Sequence, residues 1–116
     1  MKYLLTIYED EKVWDTVSEQ DGEQIIGRYM QLVENLREQG VFVAAERLLP
    51  VDSATSVRVR DGQKLVTDGP FAETKEQLGG FFLVDCKDLD HAIDVASRIP
   101  GSETGTIEVR PLWYQD

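Results

Sequence analysis

Gly80-Phe81-Phe82-Leu83-Val84-Asp85-Cys86 is the stretch on which the fold turns. A short run that is apolar without alternation reads as a strand covered on both faces. Residues 2–8, Lys2-Tyr3-Leu4-Leu5-Thr6-Ile7-Tyr8, read the same way, so both strands belong at the centre of a sheet. On the C-terminal side, Asp88 caps a helix whose Leu89, Ala92, Ile93, Ala96 and Ile99 form one apolar stripe. Pro100-Gly101 ends it, and Ile107-Glu108-Val109-Arg110 is the last strand.

After the first strand, Glu9-Asp10-Glu11-Lys12 is a polar exit and Val13-Trp14 reads as a loop, with Trp14 a surface cap or a lid over a pocket. The first helix starts at Ser18 or Asp21, each with a capping pattern. Ile25, Tyr29, Leu32, Val33 and Leu36 give it a single stripe, and Gly40 ends it as a left-handed C′ residue. Gly27 inside the helix costs roughly 1 kcal/mol against Ala, which suggests a close backbone approach there. Residues 41–48 form a second strand stopped by Pro50, and Val57 and Val59 alternate with Arg58 and Arg60 as a half-exposed third. Asp61-Gly62 predicts a type I′ hairpin into residues 64–67.

The order is β-α-β-β-(β)-β-α-β, which is the ferredoxin-like α+β plan: an antiparallel sheet with two helices on one face. Two helices leave the second face of the central strands bare. A second copy packing sheet to sheet is the simplest cover, so a two-fold homodimer is expected.

A chain of 116 residues with 41% hydrophobic content is one domain, residues 1–116, of ordinary globular composition. No apolar run approaches the ~20 residues of a membrane span, and the N-terminal segment reads as a strand and not a leader. A cytoplasmic location follows by default, and the single Cys86 cannot form an internal disulfide. The formal net charge of −10, with basic residues scattered, argues against a nucleic-acid surface. One His and one Cys do not supply a zinc or iron set, and no phosphate-binding glycine motif or serine elbow is present, so no cofactor or metal is expected. His91 falls in the first turn of the second helix, where it either moves protons or faces solvent.

Immediately before the deciding strand lies Asp68-Gly69-Pro70-Phe71-Ala72-Glu73-Thr74-Lys75-Glu76-Gln77-Leu78-Gly79. Local chemistry supports two readings of it. In one it is a turn: Gly permits φ > 0, Pro fixes φ, the Asp68 carboxylate accepts backbone N–H groups, and Phe71 pins the loop on the core. In the other it lines a cleft, bringing Asp68, Glu73 and Lys75 beside Glu46 of the second strand. A lysine among carboxylates holds an anionic ligand, and a carboxylate partly withdrawn from water serves as a general base.

This stretch through Phe81 resembles the signature of the DGPF group within the YCII-related family. The opening strand, the strand bearing Glu46, Val57-Arg58-Val59-Arg60-Asp61-Gly62 and Glu108-Val109-Arg110-Pro111-Leu112 resemble it too. The resemblance implies a dimeric α+β barrel with an active-site cleft facing the motif. Relatives in the superfamily include cofactor-independent lactone isomerases, monooxygenases and a dehydrochlorinase, while other DGPF proteins are encoded beside extracytoplasmic-function sigma factors. Some YCII-type proteins carry a His–Asp pair with its histidine in the first helix; residues 22–39 here contain none.

Three functional readings follow. One is a small-molecule sensor that takes an organic, anionic ligand in the cleft and signals to a sigma-factor-related partner. Another is a cofactor-free lyase, isomerase or oxygenase with Asp68 or Glu46 as acid/base and Lys75 as anion clamp. Tyr8, Phe71 and Glu73 complete the binding walls in either case. The third makes the motif a folding staple with no ligand.

Overall fold

The computed structural model describes residues 1–115. Its elements run β1 (Lys2–Glu9), α1 (Glu19–Glu38), β2 (Phe42–Arg47), β3 (Thr55–Arg60), β4 (Gln63–Asp68), β5 (Gln77–Asp85), α2 (Leu89–Arg98) and β6 (Thr106–Pro111). Four strands form one antiparallel sheet in the order β2-β5-β1-β6, with the two apolar strands at its centre. This is the ferredoxin-like α+β arrangement expected from the sequence. The hairpin β3-β4 is a separate two-stranded sheet.

Local chemistry sets the helix ends. The Ser18 hydroxyl accepts from the Asp21 N–H at 3.1 Å, so α1 starts at Glu19. At its other end Gly40, at φ 71°, donates to the Arg37 carbonyl and Val41 donates to the Leu36 carbonyl, the pair of bonds that defines a Schellman motif. Asp88 caps α2 by accepting from the His91 N–H at 2.9 Å, and His91 Nδ1 accepts in turn from the Lys87 N–H. The histidine therefore belongs to the cap.

The core lies between the helices and one face of the sheet. Tyr3, Leu5 and Ile7 of β1 and Phe82 and Val84 of β5 meet Leu32 and Leu36 of α1 and Ala92, Val95 and Ala96 of α2. The opposite face carries Leu4 beside Leu83 and Thr6 beside Phe81, all half-buried. The two-sided strands are thus covered on one side only within a single chain.

Several expectations change. Val13 and Trp14 lie in a 3₁₀ turn spanning Glu11–Thr16, capped by the Asp10 carboxylate, and not in an irregular loop. In α2, Val95 is buried while Leu89 and Ile93 are exposed, because the stripe facing the sheet is Ala92-Val95-Ala96-Ile99. A Cβ at Gly27 would meet nothing within 4 Å, so no close approach explains that glycine. Asp61 (φ 51°) and Gly62 (φ 76°) form the expected turn, both with positive φ. The third strand, however, is not half-exposed: Val57 is 57% and Val59 62% accessible.

Candidate functional site

Between α1 and the β2-β5 edge of the sheet lies a cleft of about 850 Å³. That falls inside the ~300–1,000 Å³ range of small-molecule sites. Its helix wall is a second apolar stripe on α1, Ile26-Met30-Val33, one step round from the stripe that enters the core. Ile26 and Met30 are exposed because they face this space. The floor is Phe82 and the backbone of Gly79 and Gly80, and Tyr29 stacks on Phe82 with ring centroids 6.3 Å apart.

The charged lining is mixed, with Lys12, Arg37 and Arg47 against Glu9, Glu11, Asp15, Glu34 and Glu46. The two arginines are the cations held against aromatic rings. Arg37, one turn beyond Val33, places its guanidinium 5.0 Å from the centre of the Phe42 ring. Arg47, at the end of β2, sits 4.9 Å from the centre of the Trp14 ring. Both line the cleft, and neither forms an ion pair among the described residues. Stacking on a ring holds a guanidinium in place while leaving its N–H fork free. Arg47 is paired across the ladder with Gly80. A Cβ at Gly80 would lie 2.7 Å from the Glu46 carbonyl oxygen, so only glycine lets β2 approach this closely.

A chain of hydrogen bonds fixes the rim. The Glu11 N–H donates to Gln77 Oε1, the Val51 N–H donates to Glu11 Oε2, and Gln77 Nε2 donates to the Thr74 carbonyl. These bonds tie the Trp14 turn to both ends of the connection between β2 and β5. At the far wall, Tyr29 Oη accepts from the Gly101 N–H at 3.1 Å. Burial, and then the negative charge of Glu9, push the Tyr29 phenol above its usual range. Glu9 itself accepts from the Thr104 hydroxyl.

The residues singled out from the sequence are not brought together. Glu46 contributes to the cleft lining, but alternates along β2 with Ala45 and Arg47 and shares the open face with Phe81. Tyr8 likewise lies on the side of β1 opposite Ile7, outside the lining. Asp68 ends β4 opposite Thr55, and no hydrogen bond to its carboxylate is formed among the described residues. The turn is held instead by backbone and hydroxyl: Gly69 (φ 97°) donates to the Ala54 carbonyl, and the Ser56 hydroxyl donates to the Gly69 carbonyl. Phe71 is 79% exposed and so is not an anchor on the core of its own chain, and Glu73 and Lys75 lie outside the cleft. Among the described residues the motif reaches the cleft only through Gln77, Gly79, Gly80 and Phe81.

Sequence reasoning passed over Ile26, Met30, Arg37 and Arg47. The first two and Val33 recur at i, i+4 and i+7, a second stripe that the spacing displays; Arg47 carries no such signal.

The sequence profile of the YCII-related domain matches residues 1–114. An uncharacterized protein of Rhizobium meliloti (strain 1021) is 40% identical over 114 residues, a span covering 97% of this chain and 92% of the relative. The chain belongs to the YCII-related domain family.

Proposed function

We propose that the protein binds a small organic anion with an apolar, aromatic-sized body in the cleft beneath α1. The observation that carries this reading is the placement of Arg37 and Arg47, unpaired among the described residues and stacked on aromatic rings, at an apolar cleft in a chain of net charge −10. An exposed cation on so acidic a protein would ordinarily find a carboxylate. Guanidinium forks match carboxylates two bonds at a time. The ring of the ligand would rest on Trp14, Met30 and Phe82. Glu9 and Glu11 are engaged by Thr104 and Val51, whereas Asp15, Glu34 and Glu46 accept no hydrogen bond among the described residues and are the carboxylates the enzyme alternative would use. The family resemblance offers a sigma-factor-related partner as the recipient of the signal; the cofactor-free enzyme alternative requires turnover as well as binding.

The test is a thermal-shift screen of aryl and alkyl carboxylates against their methyl esters, with each mixture then checked for product. A ligand at 100 times its Kd adds about 2.7 kcal/mol of stability. The reading expects acids to stabilise, esters not to, and the ligand to be recovered unchanged. Equal shifts by acid and ester would remove the arginines from the account, and a product would move it to the enzyme alternative.

A further inference from the structure

We propose that the hairpin β3-β4 is a dimerisation arm, which lays its valine face on a second copy of this chain beside an interface made by the two open sheet faces. The cross-strand pairs put Val57, Val59 and Val66 on one face with the stem of Lys64, and Arg58, Arg60 and Leu65 on the other. Every residue of β4 is exposed, and so is every residue of β3 except Ser56. An isolated two-stranded hairpin is at best marginally stable in water, so a surface must support this one. The described residues of its own chain provide none.

The overall dimensions say the same. A compact chain of 116 residues has a radius of gyration of about 13 Å; here it is 16.2 Å. At 13.2 kDa a compact monomer exposes roughly 6,400 Å², against 8386 Å² here. The excess of about 2,000 Å² per chain matches what obligate homodimers cover. The exposed apolar residues include Val57, Val59, Leu65 and Val66 of the hairpin, and the open sheet face adds the half-buried Leu4, Phe81 and Leu83.

Charge selects a second copy as the occupant. Residues 55–68 hold three cations and two anions, a net +1, which leaves −11 on the rest of the chain. A basic arm on an acidic body is complementary to another molecule of the same kind, and a two-fold axis satisfies both arms at once. The sheet-to-sheet pairing expected from the sequence leaves the arm without a role; the arm explains why the β2-β5 connection carries exposed valines and Phe71.

The experiment compares wild type with a Val57→Glu/Val59→Glu double variant by sedimentation equilibrium and by hydrogen exchange of amides 55–68. Because the hairpin takes no part in the core, the variant should keep the wild-type circular dichroism spectrum. The expected result is a wild-type dimer whose hairpin amides exchange at least tenfold more slowly at about 100 μM than at about 1 μM. The variant should dissociate at least 100-fold more readily, and added salt should weaken the wild-type dimer. A monomeric wild type at about 100 μM would overturn both the arm and the dimer. A variant that stays dimeric, or hairpin exchange independent of concentration, would overturn the arm alone.

Discussion

Gly79 and Gly80 stand side by side in β5, yet alanine should have opposite consequences at the two positions. A Cβ at Gly80 would lie 2.7 Å from the Glu46 carbonyl oxygen and 3.4 Å from the Arg47 Cα. Carbon and carbonyl oxygen ordinarily approach to about 3.3–3.6 Å, so β2 must retreat by roughly 0.6–0.9 Å against its ladder. Overpacking of this kind typically costs about 1–3 kcal/mol. With an unfolding entropy near 2.1 cal/mol/K per residue, each kcal/mol is worth about 4 °C in a chain of this length, so Gly80→Ala should lower Tm by roughly 4–12 °C. At Gly79 the nearest atom is the Ile7 carbonyl oxygen at 3.9 Å, an ordinary contact. The reduced freedom of the unfolded chain then makes Gly79→Ala neutral or stabilising by up to about 1 kcal/mol. Calorimetry at one fixed protein concentration checks the pair. Equal melting temperatures for Gly80→Ala and wild type, or a larger loss at Gly79, would refute the close approach of β2 to β5.

Other consequences are smaller or conditional. Ser18→Ala removes the oxygen that accepts from Asp21 and should cost about 0.5–2 kcal/mol in chemical denaturation, while Ser18→Gly should cost only a few tenths. The Tyr29 phenol is raised from its usual 10.0, chiefly by burial. Its contribution to stability is therefore fully present below the unfolded value and lost as pH rises through the folded one. Stability should fall above pH 10, and Tyr29→Phe should flatten that decline in chemical denaturation run at a series of pH values.

Much of the fold was legible because its signals are local. Ser18, Asp88, Gly40 and Asp61-Gly62 act through one or two backbone groups within a few residues, and the structure places each where the spacing put it. Covering of a face is a different kind of information. Alternation told that Val57 and Val59 share a side but not that nothing in the same chain would lie against it. Leu89 and Ile93 fit a helical stripe as well as Val95 does, and only docking on β1 and β6 decided which face turned inward. The candidate site was harder still. Its arginines come from α1 and β2, its tryptophan from a 3₁₀ turn, and a glycine 33 positions after Arg47 makes room for them. Asp68, Glu73 and Lys75 drew notice because charges cluster there in sequence, whereas the chain carries that loop away from the cleft.

In the proposed function two stacked arginines make the cleft an anion site. The most direct test is calorimetric titration of the best carboxylate from the screen, and of its neutral primary amide, into wild type and an Arg37→Met/Arg47→Met double variant. Methionine retains the apolar stem and loses the charge, so the fold should survive with only the loss of two ring contacts, about 0.5–1 kcal/mol each. Wild type should prefer acid over amide by at least tenfold, and the variant should lose this preference. An undiminished preference in a folded variant would contradict the proposed function.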